Sequence, residues 1–189
     1  YEPFCSGLPS SDALSSRAVV CEDLNNDGLA DLAALSEGFD KGPPSGPWVC
    51  FGTGEGWTCG PVGEKEAVEG LYGDQLTTGD VNGDGEADIA VSTHNHKKIL
   101  IVWLNDGKGG FVPFNKGLPQ GLHYSWVDLA DVDGDGKDDL IASISGFGKE
   151  GFAGIRVFLY RPEGFKEMSD GLPEDRFFPA VRGVDLDKD

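Results

Sequence analysis

The chain has 189 residues, 33 acidic against 15 basic, with a formal net charge of −18, 29 glycines and four cysteines. That charge repels phosphate and leaves few cations to displace counterions, which excludes a nucleic-acid partner and docking on an anionic membrane face. No run of about 18 apolar residues is available for membrane insertion, whereas 39% apolar content with eleven Phe and four Trp is enough for a packed core. The sequence opens at Tyr1 without a signal-peptide pattern and reads as a mature product or a fragment.

Taken in chain order, the segments repeat. Residues 1–9, YEPFCSGLP, read as an outer strand. Unit 15–70 holds the β-prone run Arg17–Cys21, the acidic segment DLNNDGLADLA from Asp23 and the apolar run Leu32–Leu35. A long Pro/Gly-rich connection, Ser36–Pro47, leads to a strand at Trp48–Phe51 and another opening at Gly56-Trp57. Unit 71–121 repeats the plan with DVNGDGEADIA from Asp80, Ile89–Ser92, Ile99–Leu104, a glycine turn and Gly110-Phe111. Unit 122–175 follows with Tyr124–Leu129, DVDGDGKDDLI from Asp131, Leu140–Ser143, Ile155–Tyr160 and Gly164-Phe165. Residues 176–189 start the plan again and end in DLDKD. The acidic segments are 57, 51 and 54 residues apart, and Gly-Leu-Pro recurs at Gly7, Gly117 and Gly171.

β-Branched and aromatic runs broken by glycine turns predict an all-β chain. A period near 54 with four strands per unit fits antiparallel β-propeller blades. The expectation is three complete blades with partial blades at both ends, in one propeller segment. Roughly 4–8 blades close a ring, so the chain reads as a fragment of a larger propeller. The alternative is an open assembly in which neighbouring subunits supply the missing strands.

The acidic segments carry the chemistry. Oxygen side chains stand at positions 1, 3, 5 and 9, with glycine at position 6. Alternate spacing turns them toward one point, and a backbone carbonyl at position 7 (Leu29, Glu86, Lys137) adds another oxygen. Several hard oxygens without His or Cys select Ca²⁺ over zinc or copper, and Mg²⁺ prefers fewer protein ligands. An EF-hand would need Glu at position 12 and a following helix. Position 12 here is Ala34, Val91 or Ala142, and a strand follows. The ninth-position Asp (Asp31, Asp88, Asp139) closes the loop instead.

These loops, the aromatic after a glycine-rich turn and the period resemble FG-GAP (VCBS-type) repeats, as in the propeller of integrin α subunits. The resemblance spans nearly the whole chain. It implies calcium loops joining the first and second strands of each blade, on the bottom face. Carried over by residue, the ligands are Asp23, Asn25, Asp27, Leu29 and Asp31, then Asp80, Asn82, Asp84, Glu86 and Asp88. The third set is Asp131, Asp133, Asp135, Lys137 and Asp139. Asp185, Asp187 and Asp189 begin a fourth, partial site. The implied cofactor is therefore Ca²⁺ at three complete sites and one partial site.

Cys50 and Cys59 flank a turn and are placed to face each other across a hairpin, leaving Cys5 and Cys21. Four cysteines allow three pairings, and the sequence does not choose among them. Even cysteines together with calcium loops point to an extracellular, secreted or cell-surface protein. No Gly-X-Ser-X-Gly elbow, His-Glu-X-X-His or P-loop is present, so the chain reads as non-enzymatic. The face opposite the calcium loops displays His94, His96, His123, Tyr124, Phe147 and Phe152 as candidate ligand residues, since loops carry binding function. The functional expectation is a calcium-stabilised adhesion module that binds a protein or carbohydrate ligand. The alternatives are a propeller domain of a polysaccharide-active enzyme and a structural subunit of a strand-complemented array.

Overall fold

A computed structural model describes residues 6–8, 16–36, 45–63, 71, 73–93, 100–119, 121–144 and 153–184. Twelve strands and no helix occur among these residues. The first sheet contains β1 (Ser16–Glu22), β2 (Asp31–Ser36), β3 (Gly46–Gly52) and β4 (Trp57–Pro61). The second contains β5 (Gly73–Gly79), β6 (Asp88–Thr93), β7 (Leu100–Asn105) and β8 (Phe111–Pro113). The third contains β9 (Tyr124–Ala130), β10 (Asp139–Ile144), β11 (Gly154–Leu159) and β12 (Lys166–Glu167). Each is a four-stranded antiparallel meander in chain order, as expected for propeller blades. The acidic loops join the first and second strands of each sheet.

The sheets stack face to face, and strand periodicity divides their side chains. Successive residues of a strand point to opposite faces, and both faces of the second sheet are covered. Ile89 and Val91 of β6, with Ile101 and Trp103 of β7, enter a core shared with Ala33, Leu35 and Val49 of the first sheet. The intervening Ala90, Leu100 and Val102 enter a second core with Val127, Leu140, Ala142 and Phe158 of the third sheet. This sandwiching explains why β6 is buried along its whole length, and β10 is buried likewise because Leu172 and Val181 pack over Ile141 on its other face. The first strands line up side by side, with β5 packed between β1 and β9. A cavity of ≈ 330 Å³ runs along them, bordered by Val19, Gln75, Thr77, Trp126, Asp128 and Arg182.

Two sequence markers turn out to be the two halves of one joint. The Trp57 N–H donates to the Ser6 carbonyl at 2.9 Å, and the Phe165 N–H donates to the Lys116 carbonyl at 2.7 Å. At Gly7 and Gly117 the residue before the Gly-Leu-Pro glycine thus holds the aromatic at the start of the fourth strand of the next unit. Gly7 and Gly117 have φ near +89° and lie so close that a Cβ would overlap the Trp57 or Phe165 carbonyl. Only glycine satisfies both conditions.

Cys50 and Cys59 are directly opposed on β3 and β4 and form a disulfide. Cys21 is an exposed free thiol, and Cys5, the partner left to it by elimination, lies outside the described residues. Residues 176–184, expected to begin a further blade, lie against the third sheet but form no ladder among the described residues.

The disulfide closes a short loop, so chain-entropy reasoning gives it a modest contribution. Replacing Cys50 and Cys59 together by Ala should cost about 2 kcal/mol, or roughly 4–8 °C in Tm. A thermal melt unchanged by the double substitution would show that the hairpin is already fixed by its ladder.

Candidate metal centre

Each acidic loop is built by its own first and ninth residues. In the second loop, Asp80 Oδ1 accepts from the Gly83 and Asp84 N–H groups at 2.8 and 3.0 Å, and Oδ2 accepts from Gly85 at 2.9 Å. The third loop repeats this with Asp131 accepting from Gly134, Asp135 and Gly136 at 2.8–3.1 Å. In the first, Asp23 accepts from Asp27 and Gly28 at 3.2 and 2.9 Å. The fourth position has a left-handed backbone throughout, and Asn26 takes it at φ 59° where the other loops have glycine. Asn is among the few residues that tolerate this conformation. The third and fifth residues form Asx turns: Asn25 and Asn82 accept from the Asp27 and Asp84 N–H groups at 3.0 and 2.9 Å. Asp27, Asp84 and Asp135 accept from the Leu29, Glu86 and Lys137 N–H groups at 2.8–3.1 Å.

The ninth-position carboxylates are the unusual groups. Asp31, Asp88 and Asp139 are each 0% exposed. One oxygen of each accepts from the second residue of its loop, Leu24, Val81 or Val132, at 2.8–3.1 Å. The other accepts from Gly52, Asn105 or Tyr160, at or just after the end of the third strand, each at 2.8 Å. Each aspartate, at the start of the second strand, therefore ties its loop to the end of the third strand. Desolvation raises all three pKa values, and proximity to the loop's other aspartates raises them further, against the lowering effect of the two backbone hydrogen bonds. Asp88 is pushed up to about 7. A buried anion among other anions calls for a cation or a proton.

In the third loop, Asp131, Asp133 and Asp139 each bring a carboxylate oxygen to within 4.8 Å of the others. This triad can hold a metal ion, and its all-oxygen donor set suits a hard divalent cation. Two features distinguish it from the first two loops. Its third position is Asp133 rather than Asn, adding a carboxylate. A guanidinium lies alongside: Arg161 pairs with Asp133 and, at 3.4 Å, with Asp135, which also meets Lys137 at 3.3 Å. Hydrogen bonding to Asp133 raises the Arg161 pKa. The extra negative charge and the extra positive charge therefore occur together.

The loops are also linked to one another. Asn105 Nδ2 donates to the Leu24 carbonyl at 2.8 Å and the Ala87 carbonyl at 3.0 Å, joining the first two loops, and Asn26 donates to Glu86. Asp138 accepts from the Asp80 N–H at 2.9 Å and donates its own N–H to the Asp80 carbonyl at 2.8 Å, joining the second and third. Arg161, Asn105 and Asp138 were not singled out in the sequence. Asp138 stands inside the motif at a position without an assigned role, and the other two stand at or just after the end of the third strand, where no spacing rule points.

The remaining candidates distribute differently. Tyr124 corrects the expectation of a ligand-face residue. It is 1% exposed in the core between the second and third sheets, edge-on to Phe158, because the first residue of β9 points inward. His123 is half-buried and its Nε2 lies 2.8 Å from Asp74 Oδ2, bridging the second and third units. His94, His96, Phe147, Phe152, Asp185, Asp187 and Asp189 lie outside the described residues.

The raised carboxylates fix a pH signature for the metal-free chain. Unfolded Asp88 loses its proton near pH 4, whereas the folded chain keeps it to about pH 7. Between these values the folded state binds more protons, so this contribution to stability is full below pH 4 and is lost as pH rises through 7. In chelator, Tm should therefore fall from pH 4.5 to 7.5, and Asp88→Asn should flatten that slope. A Tm that rises across the window contradicts the assignment.

Comparison with curated protein sequences gives no match. Residues 23–91 and 80–142 match the FG-GAP-like repeat, together covering well over half of the chain and all three acidic loops. The repeat period, the three four-stranded sheets and this match agree: the chain belongs to the FG-GAP-like repeat family.

Proposed function

We propose that this chain is a calcium-stabilised, non-enzymatic propeller module that works outside the cell as a binding or adhesion domain. The observation that carries the reading is the threefold recurrence of a fully buried aspartate closing an acidic loop. Calcium is the cation that fits, since these loops offer carboxylate and amide oxygens and neither thiolate nor imidazole. The FG-GAP resemblance supports the same ion. Asp131, Asp133 and Asp139 hold it in the third loop, with Asp23, Asn25, Asp27 and Asp31 and Asp80, Asn82, Asp84 and Asp88 as the corresponding sets. Bound calcium supplies the countercharge that lets the ninth aspartate stay ionised inside the fold.

The Cys50–Cys59 disulfide supports an oxidising compartment. Among the described residues no helix is long and apolar enough to cross a membrane. A protein or carbohydrate ligand is the proposed partner. The cavity along the first strands combines Trp126 with Gln75, Thr77, Asp128 and Arg182, an aromatic face among hydrogen-bonding groups.

A ligand that binds only the native state stabilises it by about 2.7 kcal/mol per site at a hundredfold excess over Kd. Removing calcium with EGTA should therefore lower Tm by 10 °C or more, roughly, if all three loops are loaded. Asp133→Ala should abolish the third loop's share while leaving the calcium-free Tm close to that of the parent, because Asp133 pairs with the Arg161 side chain. A melt insensitive to EGTA after verified metal removal contradicts the proposal.

A further inference from the structure

The three loops share one backbone plan but not one electrostatic setting. The residue whose N–H holds the buried ninth aspartate is Gly52, Asn105 or Tyr160. The residue after it, at the same register in each unit, is Thr53, Asp106 or Arg161. Thr53 and Asp106 serve their own hairpins. Thr53 N–H donates to the Gly56 carbonyl at 2.9 Å, and Asp106 Oδ1 accepts from the Lys108 and Gly110 N–H groups at 2.9 and 2.8 Å. Arg161 turns to the acidic loop instead. Its Nη2 pairs with Asp133, and its Nη1 pairs with Asp135 at 3.4 Å and donates to the Tyr160 carbonyl at 2.5 Å. The seventh loop position widens the contrast. It is Leu29, Glu86 or Lys137, and Lys137 Nζ lies 3.3 Å from Asp135. Among the described residues no basic side chain pairs with the first two loops.

This contact works against a metal ion. Asp133 belongs to the group that brings its carboxylate oxygens within 4.8 Å of one another, and it is also the partner of the guanidinium. A divalent cation drawn into that group meets a fixed positive charge on one of its own ligands, and like charges at such range repel. Arginine does not relieve the conflict by losing a proton, because its guanidinium stays charged in proteins. It relieves it by moving. The Arg161, Asp133 and Asp135 side chains are 30%, 22% and 33% exposed, and ion pairs in contact with water are held weakly. Arg161 therefore opposes the cation without closing the loop to it.

We propose that Arg161 is a resident competitor for the third loop's cation. It holds Asp133 and Asp135 at low calcium, yields them as calcium rises, and so sets the concentration at which this loop fills. This role rests on the calcium reading above and names the residue that tunes one of its sites. It also gives the additional carboxylate a counterpart: Asp133 strengthens the site, and Arg161 holds that gain in check. The first two loops have Asn25 and Asn82 at the position of Asp133, and Thr53 and Asp106 at the position of Arg161. The third loop is therefore the one whose filling is governed by a side chain from outside it.

The test titrates Ca²⁺ into the metal-free full chain and follows each loop through its glycine amides by NMR. Gly134 and Gly136 report the third loop, since both N–H groups donate to Asp131. Gly83 and Gly85 report the second in the same way, and Gly28 reports the first. Arg161→Gln should lower the calcium concentration that half-fills the third loop by roughly fivefold or more, and leave the other two midpoints in place. Arg161→Thr, which installs the residue found in the first unit, should do the same and serves if the glutamine variant folds poorly. Arg161→Lys keeps the charge and should stay close to the parent. A third-loop midpoint that is unchanged in both neutral variants overturns the proposal. So does a midpoint that rises, which would make Arg161 a residue that positions Asp133 for the ion. In either case the first two loops still respond, so the calcium reading survives. Glycine amides that ignore Ca²⁺ in the parent and in every variant overturn both.

Discussion

The structure depends on an aspartate that has left water. Asp31, Asp88 and Asp139 begin the second strand of each sheet and are sealed from solvent. Each accepts one hydrogen bond from its loop and one from the end of the third strand or just beyond it. Two backbone hydrogen bonds stabilise the ionised form but do not offset burial, and the pKa values rise. A neutral side chain would avoid that cost and would lose half of the bridge. In the third loop Asp131 and Asp133 bring further carboxylate oxygens to within 4.8 Å of that of Asp139, a group that can hold a metal ion and so offset the charge.

The repeat distributes this device along the molecule. Asn105 and Asp138 connect successive loops through backbone groups, so the three are mechanically continuous. On the same sheets, the glycine seats clip the fourth strand of one unit to the preceding unit. The first and second sheets therefore share an apolar core and a loop-to-loop link, and the second and third share both of these and a backbone joint. Such nearest-neighbour coupling is how repeat arrays become cooperative. Arg161 shows how one unit departs from the plan: the loop that gained Asp133 also gained a guanidinium facing it.

Much of the fold was legible because its signals are periodic. Three in-phase markers predicted the number of sheets, and the runs at Leu32–Leu35, Ile89–Ser92 and Leu140–Ser143 fall within β2, β6 and β10. The loop positions were legible because each chemical role fixes a spacing, one to nine. What escaped is what spacing cannot encode. Tyr124 was read both as the start of the run Tyr124–Leu129 and as a ligand-face residue beside His123; the strand does begin there, but it turns the ring into the core. Cys50 and Cys59 were placed for pairing by the hairpin, whereas Cys21 carries no such geometric signal and remains a thiol. Arg161 and Asn105 act across tens of residues, so only the folded chain brings them to the loops. The Gly-Leu-Pro marker was visible as a repeat, but its role needed the backbone of the neighbouring unit.

The most direct measurement follows calcium and protons together. Calorimetric titration of the metal-free chain with Ca²⁺ at pH 7, in two buffers of different ionisation enthalpy, counts both. If buried carboxylates wait protonated for a cation, binding must release protons. Asp88, with its pKa near 7, should contribute about half a proton at pH 7 and almost none at pH 8.5. Calcium binding with a buffer-dependent heat at pH 7 that vanishes at pH 8.5 is the predicted result. Absence of binding, or a heat identical in both buffers at pH 7, contradicts the account.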